Sequence, residues 1–358
     1  MNLEENKDKK EKSLAQTIGP GIVSGAADDD PSGIATYSQA GAQFGYKFLW
    51  VSLVTFPLMA VAQEMCARIA LVTGRGLASN IKRTFSKKML YFCTMLLFIA
   101  NTVNIGADLG AMAKAIQLVL PSSNFVLLVI FIGLFTLTLQ VFIPYKNYVK
   151  YLKWLTITLF AYVITGLIIK MNWVEIFKNT LIPSMSFTKK EILLVVGILG
   201  TTISPYLFFW QTSQEIEEEI SDGKTTLASR KGTDKKEIHK MRADVWSGML
   251  FSNLVMFFII AVCATTLFKN GITNIGTASD AAMALRPLAG NFTYILFTLG
   301  IIGTGMLAIP VLAGSTSYAM SESFGWKEGL YRKLKEAKAF YGVIIISISC
   351  NDMFILRS

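Results

Sequence analysis

Three carboxylates stand side by side at Asp28, Asp29 and Asp30, followed at once by Pro31, Ser32 and Gly33. The run lies inside an apolar segment, residues 17–42. An ionised acid near the middle of a membrane helix costs roughly 2.5–3.5 kcal/mol on insertion scales. Pro31 withdraws a backbone donor and Gly33 gives a helix little support. A helix is expected to unwind here and leave free carbonyls beside the carboxylates. Such backbone is tolerated at membrane depth only when it is buried in protein or faces a water-filled cavity. The combination reads as a cation site. The competing reading is an ordinary turn, Asp29-Asp30-Pro31-Ser32, ahead of a helix.

A second interruption falls at Gly200-Thr201-Thr202-Ile203-Ser204-Pro205-Tyr206, where Pro205 breaks an otherwise apolar helix. A plain proline kink would explain it equally well if it stood alone. It does not stand alone, because the first and sixth apolar segments are both interrupted near their middles. That pairing points to a transporter of two inverted repeats with a central site. Asp108 in the third segment is an intramembrane acid, expected on an ion or proton path, with an interhelical hydrogen bond as the plainer role. Glu64 and Arg68 stand four apart on one helix face and are expected to pair structurally. Cys66, Cys93, Cys263 and Cys350 are scattered singly and read as buried apolar side chains. His239 is the single histidine, which rules out a His-based zinc centre. No Ser-His-Asp arrangement, Walker-type loop or HExxH pattern is present, so an enzyme is not expected.

The elements that position these residues are membrane spans. Of 358 residues, 53% are hydrophobic and 16% charged, and the mean hydropathy is +0.48. Soluble domains carry about 25% charge. Apolar runs are expected to span at 17–42 (broken), 47–72, 89–120, 123–143, 150–170, 191–212 (broken), 245–268, 291–318 and 340–350, an all-α integral membrane protein. Residues 1–16 form a charged tail that leads directly into the first span and reads as cytoplasmic, not as a cleavable leader. The net charge of +10 is no nucleic-acid signature. Of the 34 Lys and Arg, 24 fall in the tail and alternate loops and 7 in the loops between, which places the N-terminus inside the cell. The polar stretch 213–244 is then a cytoplasmic loop. Its acidic head, 215–219, reads as a solvated extension of span six.

Gly19-Pro20-Gly21, Asp30-Pro31-Ser32-Gly33, Ala35-Thr36, Gln39-Ala40-Gly41-Ala42, Gly45-Tyr46, Leu49-Trp50 and Val72-Thr73-Gly74-Arg75 together resemble the Nramp family of divalent metal transporters. The resemblance covers nearly the whole chain and includes both interruptions. It implies a LeuT-type inverted-repeat bundle with helices 1 and 6 broken, working by alternating access around a metal held between them. The first repeat would be 17–170 and the second 191–350. Departures from the family pattern matter as much. Asp30 and Pro31 match the first-helix motif Asp-Pro-Gly-Asn, but Ser32 replaces its Gly and Gly33 its ligand Asn. In the sixth-helix motif Ala-x-x-Met-Pro-His, Thr201 replaces Ala, Ser204 replaces Met and Tyr206 replaces His. Asp108 matches the family Asp of the third span, and Ala111 stands where a Glu is usual.

A thioether favours softer transition metals, whereas hydroxyls and carboxylates favour hard ions. Mg2+ sheds its water reluctantly and keeps oxygen ligands, which suits a roomy acidic site. The resemblance narrows to the family's magnesium-transporting branch, with Mg2+ and/or Mn2+ as transported substrate and no cofactor. Tyr206 does not titrate near neutrality as histidine would, so strict proton coupling is not expected. The metal ligands are expected to be Asp30, Ser204 and Thr201, with Asp28 and Asp29 attracting or holding the hydrated cation. Ser32, Gly33 and Tyr206 would line the site, and Asp108 would be a path residue. Partners would be the divalent ion and the bilayer of the plasma membrane, with no nucleic acid. Rival readings are proton-coupled Mn2+/Fe2+ uptake and a sodium-coupled carrier of organic solutes, the latter opposed by three adjacent acids. The fold implies ten core helices; this chain supplies eight and part of a ninth, and 351–358 read as an aberrant end. A truncated, non-transporting fragment is therefore a further expectation.

Overall fold

A computed structural model describes residues 19–143 and 145–355. The whole N-terminal tail, 1–16, and the last three residues lie outside that range. Every described element is helical, and among the described residues seven helices are long and apolar enough to cross a membrane. The first span is two helices, α1 (Pro20–Asp28) and α2 (Pro31–Phe44). A short turn leads to α3 (Leu49–Thr73), which stops at Gly74 in the left-handed conformation (φ 63°), a regular helix ending. An eight-residue amphipathic helix, α4 (Leu77–Thr84), precedes the long α5 (Lys87–Val119) and α6 (Phe125–Phe142). The fifth span is α7 (Tyr145–Leu155) and α8 (Phe160–Ile168), joined by a 3-10 turn, Thr156–Leu159. A short amphipathic helix, α9 (Trp173–Leu181), leads to the broken sixth span, α10 (Lys189–Thr202) and α11 (Pro205–Ser221). The remainder is α12 (Lys235–Thr266), α13 (Ala278–Phe324) and α14 (Lys338–Ile355).

Helix starts are marked by side-chain caps at Ser86, Asn124, Thr188, Asp234 and Thr277, each accepting a backbone N–H that would otherwise lack a partner. Helix α13 begins earlier than the apolar run implies, at Ala278, and is kinked at Gly290 (φ 85°). The polar linker is shorter than expected, because α11 runs to Ser221 and α12 begins at Lys235.

The acidic head of that linker is not solvated. Glu215, Glu217 and Glu219 are all buried, because groups distant in sequence receive them. Glu217 accepts from the Tyr318 hydroxyl (2.5 Å) and the Leu330 N–H (2.7 Å). Glu219 pairs with Lys224 (3.1 Å). Glu64 behaves as expected, bound to Arg68, and it also accepts from Arg242 (2.8 Å) and the Trp246 indole (2.7 Å).

Helix α12 is the spine of the first span: it packs on α1, α2 and α3. Glycines permit backbone-to-backbone approach there. A side chain at Gly25 would overlap the Gly248 carbonyl, and one at Gly248 would overlap that of Gly21. On the other side α5 lies along α13, with Asn101 donating to the Leu312 carbonyl (3.1 Å), Ser315 (3.0 Å) and Thr316 (2.8 Å). Large apolar side chains such as Phe92, Val103, Leu127 and Phe131 are exposed on the outer faces, a surface that suits lipid.

Candidate cation site at the paired helix breaks

The two interruptions face each other. Helix α1 packs on α11, and α2 packs on α10. The Tyr206 hydroxyl closes the junction by donating to the Ala27 carbonyl (2.9 Å), one of the acceptors left free at the end of α1. Deeper in α1, the Ser24 hydroxyl donates to Gln211 on α11 (2.5 Å), and Gln211 donates to Glu215 (2.8 Å).

The sequence dictates both breaks. Proline forces the residue before it out of the helical region. Asp30 (φ −66°, ψ 165°) and Ser204 (φ −83°, ψ 127°) are accordingly extended. Asp30 then caps α2: its Oδ1 accepts from the Gly33 N–H (2.6 Å) and the Ser32 hydroxyl (2.8 Å). Negative charge is favoured at a helix N-terminus. Its Oδ2 accepts from the Asn104 amide of α5 (2.7 Å). Ser32 and Gly33 thus serve Asp30 as donors. Ser204 donates to the Gly200 (3.0 Å) and Thr201 (2.8 Å) carbonyls, and Thr201 donates to the Ile198 carbonyl (3.0 Å). Donating the hydroxyl hydrogen inward leaves oxygen lone pairs available to a cation. Tyr37 of α2 is buried and faces the Thr201 hydroxyl of α10.

The other acids are equally enclosed. Asp28, Asp29 and Asp108 are 0% exposed and Asp30 is 3% exposed. Asp28 accepts from Ser252 of α12 (3.1 Å) through Oδ2, and its Oδ1 has no partner. Asp29 also faces the Ser252 hydroxyl, and Asp108 faces the Ser32 N–H. Asp108 lies within electrostatic range of Asp30, and Tyr206 within range of Asp28, Asp30 and Asp108. No ion pair among the described residues involves any of the four.

The three consecutive carboxylates do not face one point: Asp28 and Asp29 face Ser252 of α12, and Asp30 turns to α2 and α5. Among the described residues no three acid, His or Cys side chains converge as a set of metal ligands. Asn104, Ser252 and Tyr37 are the participants the sequence did not single out. Asn104 sits one turn before Asp108 on the same helix, a spacing that could have flagged it. Ser252 gives no such signal.

Two cavities lie beside the broken spans. One, of about 510 Å3, is lined by Gly19, Pro20, Glu215, Glu218, Lys153 and Asp244. The other, of about 710 Å3, is lined by Thr36, Gln39, Gln43, Lys190 and Asn274. Neither is lined by any of the four aspartates.

The family described as "Natural resistance-associated macrophage protein-like", Nramp, matches residues 21–357. The chain belongs to the Nramp family. It is 25% identical over 363 residues to the divalent metal cation transporter MntH of Clostridium acetobutylicum, covering 96% of this chain and 78% of that one. It is 23% identical over 346 residues to the MntH of Aeromonas hydrophila, covering 95% and 81%. The fold matches the crystal structure of the Eremococcus coleocola manganese transporter with a TM-score of 0.71 at 18% identity, covering 98% of this chain and 74% of that one. The Nramp fold is thus the LeuT-like arrangement that the two interruptions imply. These relatives are transporters, not enzymes.

Proposed function

We propose that this Nramp protein moves divalent metal cations across a membrane by exposing the paired helix breaks to each side in turn. One observation carries the reading: among the described residues, buried carboxylates with no ion-pair partner lie at the break of the first span, which packs on the broken sixth. Unpaired buried charge is strongly unfavourable, and a transient cation relieves it. Asp30 is the principal ligand, with Ser204 and Thr201 offering hydroxyl or carbonyl oxygen from α10. Asp28 and Asp29 supply the field that draws the ion in. Asp108 lies on its path.

The substrate on this reading is Mg2+ and/or Mn2+. Serine at 204 offers a hard oxygen in place of a thioether, and hard oxygen suits Mg2+. Transport need not be strictly proton-coupled, because the Tyr206 hydroxyl is committed to the Ala27 carbonyl and Ala111 carries no proton. The membrane potential supplies about 4.6 kcal/mol per 100 mV for a doubly charged ion. The repeats 17–170 and 191–350 would rock against each other in a plasma membrane, with the N-terminus inside. Asp108 beside Asp30 also supports a second reading, proton-coupled Mn2+ or Fe2+ uptake.

Proteoliposomes loaded with a Mg2+ dye and a pH dye separate the two. The expected result is Mg2+ entry driven by an inside-negative potential without acidification, and loss of uptake in Asp30→Ala. Absence of Mg2+ entry, or entry only with co-moving protons, removes the first reading. Mn2+ uptake that excess Mg2+ fails to inhibit supports the second.

A further inference from the structure

We propose that the Tyr37 hydroxyl and the Asp28 main-chain carbonyl join Asp30 as ligands of the transported cation, which sits in the space beside Gly33. This rests on the divalent reading above and adds to it a phenol ligand and the side of the break on which the ion is held. A side-chain carbon placed on Gly33 would have three nearest neighbours, and all three are oxygens. They are Asp30 Oδ1 at 3.2 Å, the Asp28 carbonyl at 3.4 Å and the Tyr37 hydroxyl at 3.5 Å. Elsewhere in the bundle the same position meets the carbons of a ring, as at Gly166 against Phe258.

The hydrogens around these oxygens are directed away from the space. Asp28 is the last residue of α1, and the final carbonyls of a helix have no partner within it. Thr201 gives its hydroxyl hydrogen to the Ile198 carbonyl (3.0 Å). Toward the Tyr37 hydroxyl that faces it, Thr201 is therefore an acceptor. The phenol hydrogen goes to Thr201, and the phenol oxygen keeps its lone pairs for a cation. Asp30 Oδ1 holds the Ser32 hydroxyl (2.8 Å) and the Gly33 N–H (2.6 Å). A hydroxyl rotor can turn its hydrogen aside when an ion arrives.

The donor set fits a small hard ion. One carboxylate, one carbonyl and one phenol supply oxygen alone, and Mg2+ completes its shell with the waters it retains. No three acidic, His or Cys side chains converge among the described residues, so neutral oxygens must supply what acids do not. Tyr37 is 0% exposed, which keeps its oxygen from bulk water. The phenol also reaches from α2 to Thr201 of α10, so an ion bound to it touches both broken spans. Glycine at 33 is what leaves the room, because any side chain there would stand among the three oxygens.

The test is calorimetry of Mg2+ and Mn2+ on the purified full chain in detergent. Tyr37→Phe keeps the ring and removes one oxygen. It should weaken binding of both ions by roughly ten- to a hundredfold. Adding Gly33→Asn to Tyr37→Phe carries an amide oxygen into the same space and should recover most of the lost Mn2+ affinity. Gly33→Ala puts a methyl group among the three oxygens; it should weaken both ions, and it decides the matter if Tyr37→Phe does not fold. Wild-type affinity for both ions in Tyr37→Phe or in Gly33→Ala overturns the proposal. A loss in Tyr37→Phe that Gly33→Asn does not recover makes the phenol a tie between helices and overturns it as well. Asp30→Ala separates this assignment from the reading beneath it. If Asp30→Ala loses binding and Tyr37→Phe does not, the phenol ligand alone falls; if Asp30→Ala binds as the wild type does, the divalent site at the break falls and the phenol with it.

Discussion

At Ser204 the hydroxyl hydrogen is already engaged by the Gly200 and Thr201 carbonyls, so a ligand there meets only hard oxygen. Ser204→Met is expected to move preference toward Mn2+ over Mg2+ by about tenfold, or ~1.4 kcal/mol. Calorimetry of the two ions on wild type and variant checks this; an unchanged ratio removes the argument from ligand softness. Asn104 holds one oxygen of Asp30. A hydrogen bond to a charged group contributes about 1.5–3 kcal/mol. Asn104→Ala should therefore weaken metal binding by roughly ten- to a hundredfold, with the helix content of the protein unchanged by circular dichroism. The break at Asp30 was legible in the sequence because proline forces the residue before it out of the helix. Its partner was not, since the register of α5 against α2 is a tertiary fact. Nor does spacing reveal that Asp28 and Asp29 face α12 while Asp30 faces α2 and α5; backbone that has left the helix no longer has a helical period.

At the level of elements, both broken spans could be read from prolines and their apolar flanks. What holds the half-helix α1 could not. The Asp244 carboxylate of α12 accepts from the Gly19 (2.9 Å) and Gly21 (2.6 Å) N–H groups and so caps α1 from a distance of more than two hundred residues. Asp244 sits in the polar stretch 213–244, expected as a cytoplasmic loop. The same misreading covered Glu215, Glu217 and Glu219, because charge signals exposure only where no distant partner arrives. Removing a cap costs about 0.5–2 kcal/mol, and here the seam of Gly21 and Gly25 on Gly248 remains to hold α1 in place. Asp244→Ala should accordingly lower Tm modestly and speed labelling of a Ser24→Cys thiol by a soluble reagent. Gly248→Val should do more of both, since its side chain meets the α1 backbone at Gly21. Labelling rates equal to that of the single Ser24→Cys variant would show that neither contact restrains the half-helix.

Across the whole molecule, one connection gathers three distant parts. The segment 325–337 between α13 and α14 lays Leu330 against Glu217 of α11 and Tyr318 of α13, and Glu322 near its start accepts from the Ser79 N–H of α4 (2.7 Å). Glu328 lies in this segment with one carboxyl oxygen buried and unpartnered. Burial first, then the nearby Glu322 and Glu217 carboxylates, push it up to about 9, against the pull of Arg332. In the unfolded chain it titrates near its ordinary value of 4.5. The folded state therefore binds the proton more tightly. The stability this contributes is complete below pH 4.5 and is lost as pH rises through about 9. Tm measured from pH 5 to about pH 9.5 should fall more steeply for the wild type than for Glu328→Gln, whose neutral amide has no proton to lose. The two curves should lie closest at the acid end and separate toward the alkaline end. Parallel curves would mean that Glu328 is ionised throughout and that Arg332 governs it. A gap that widens from about pH 5 and stops widening above about pH 9 would place the folded-state loss of the Glu328 proton there.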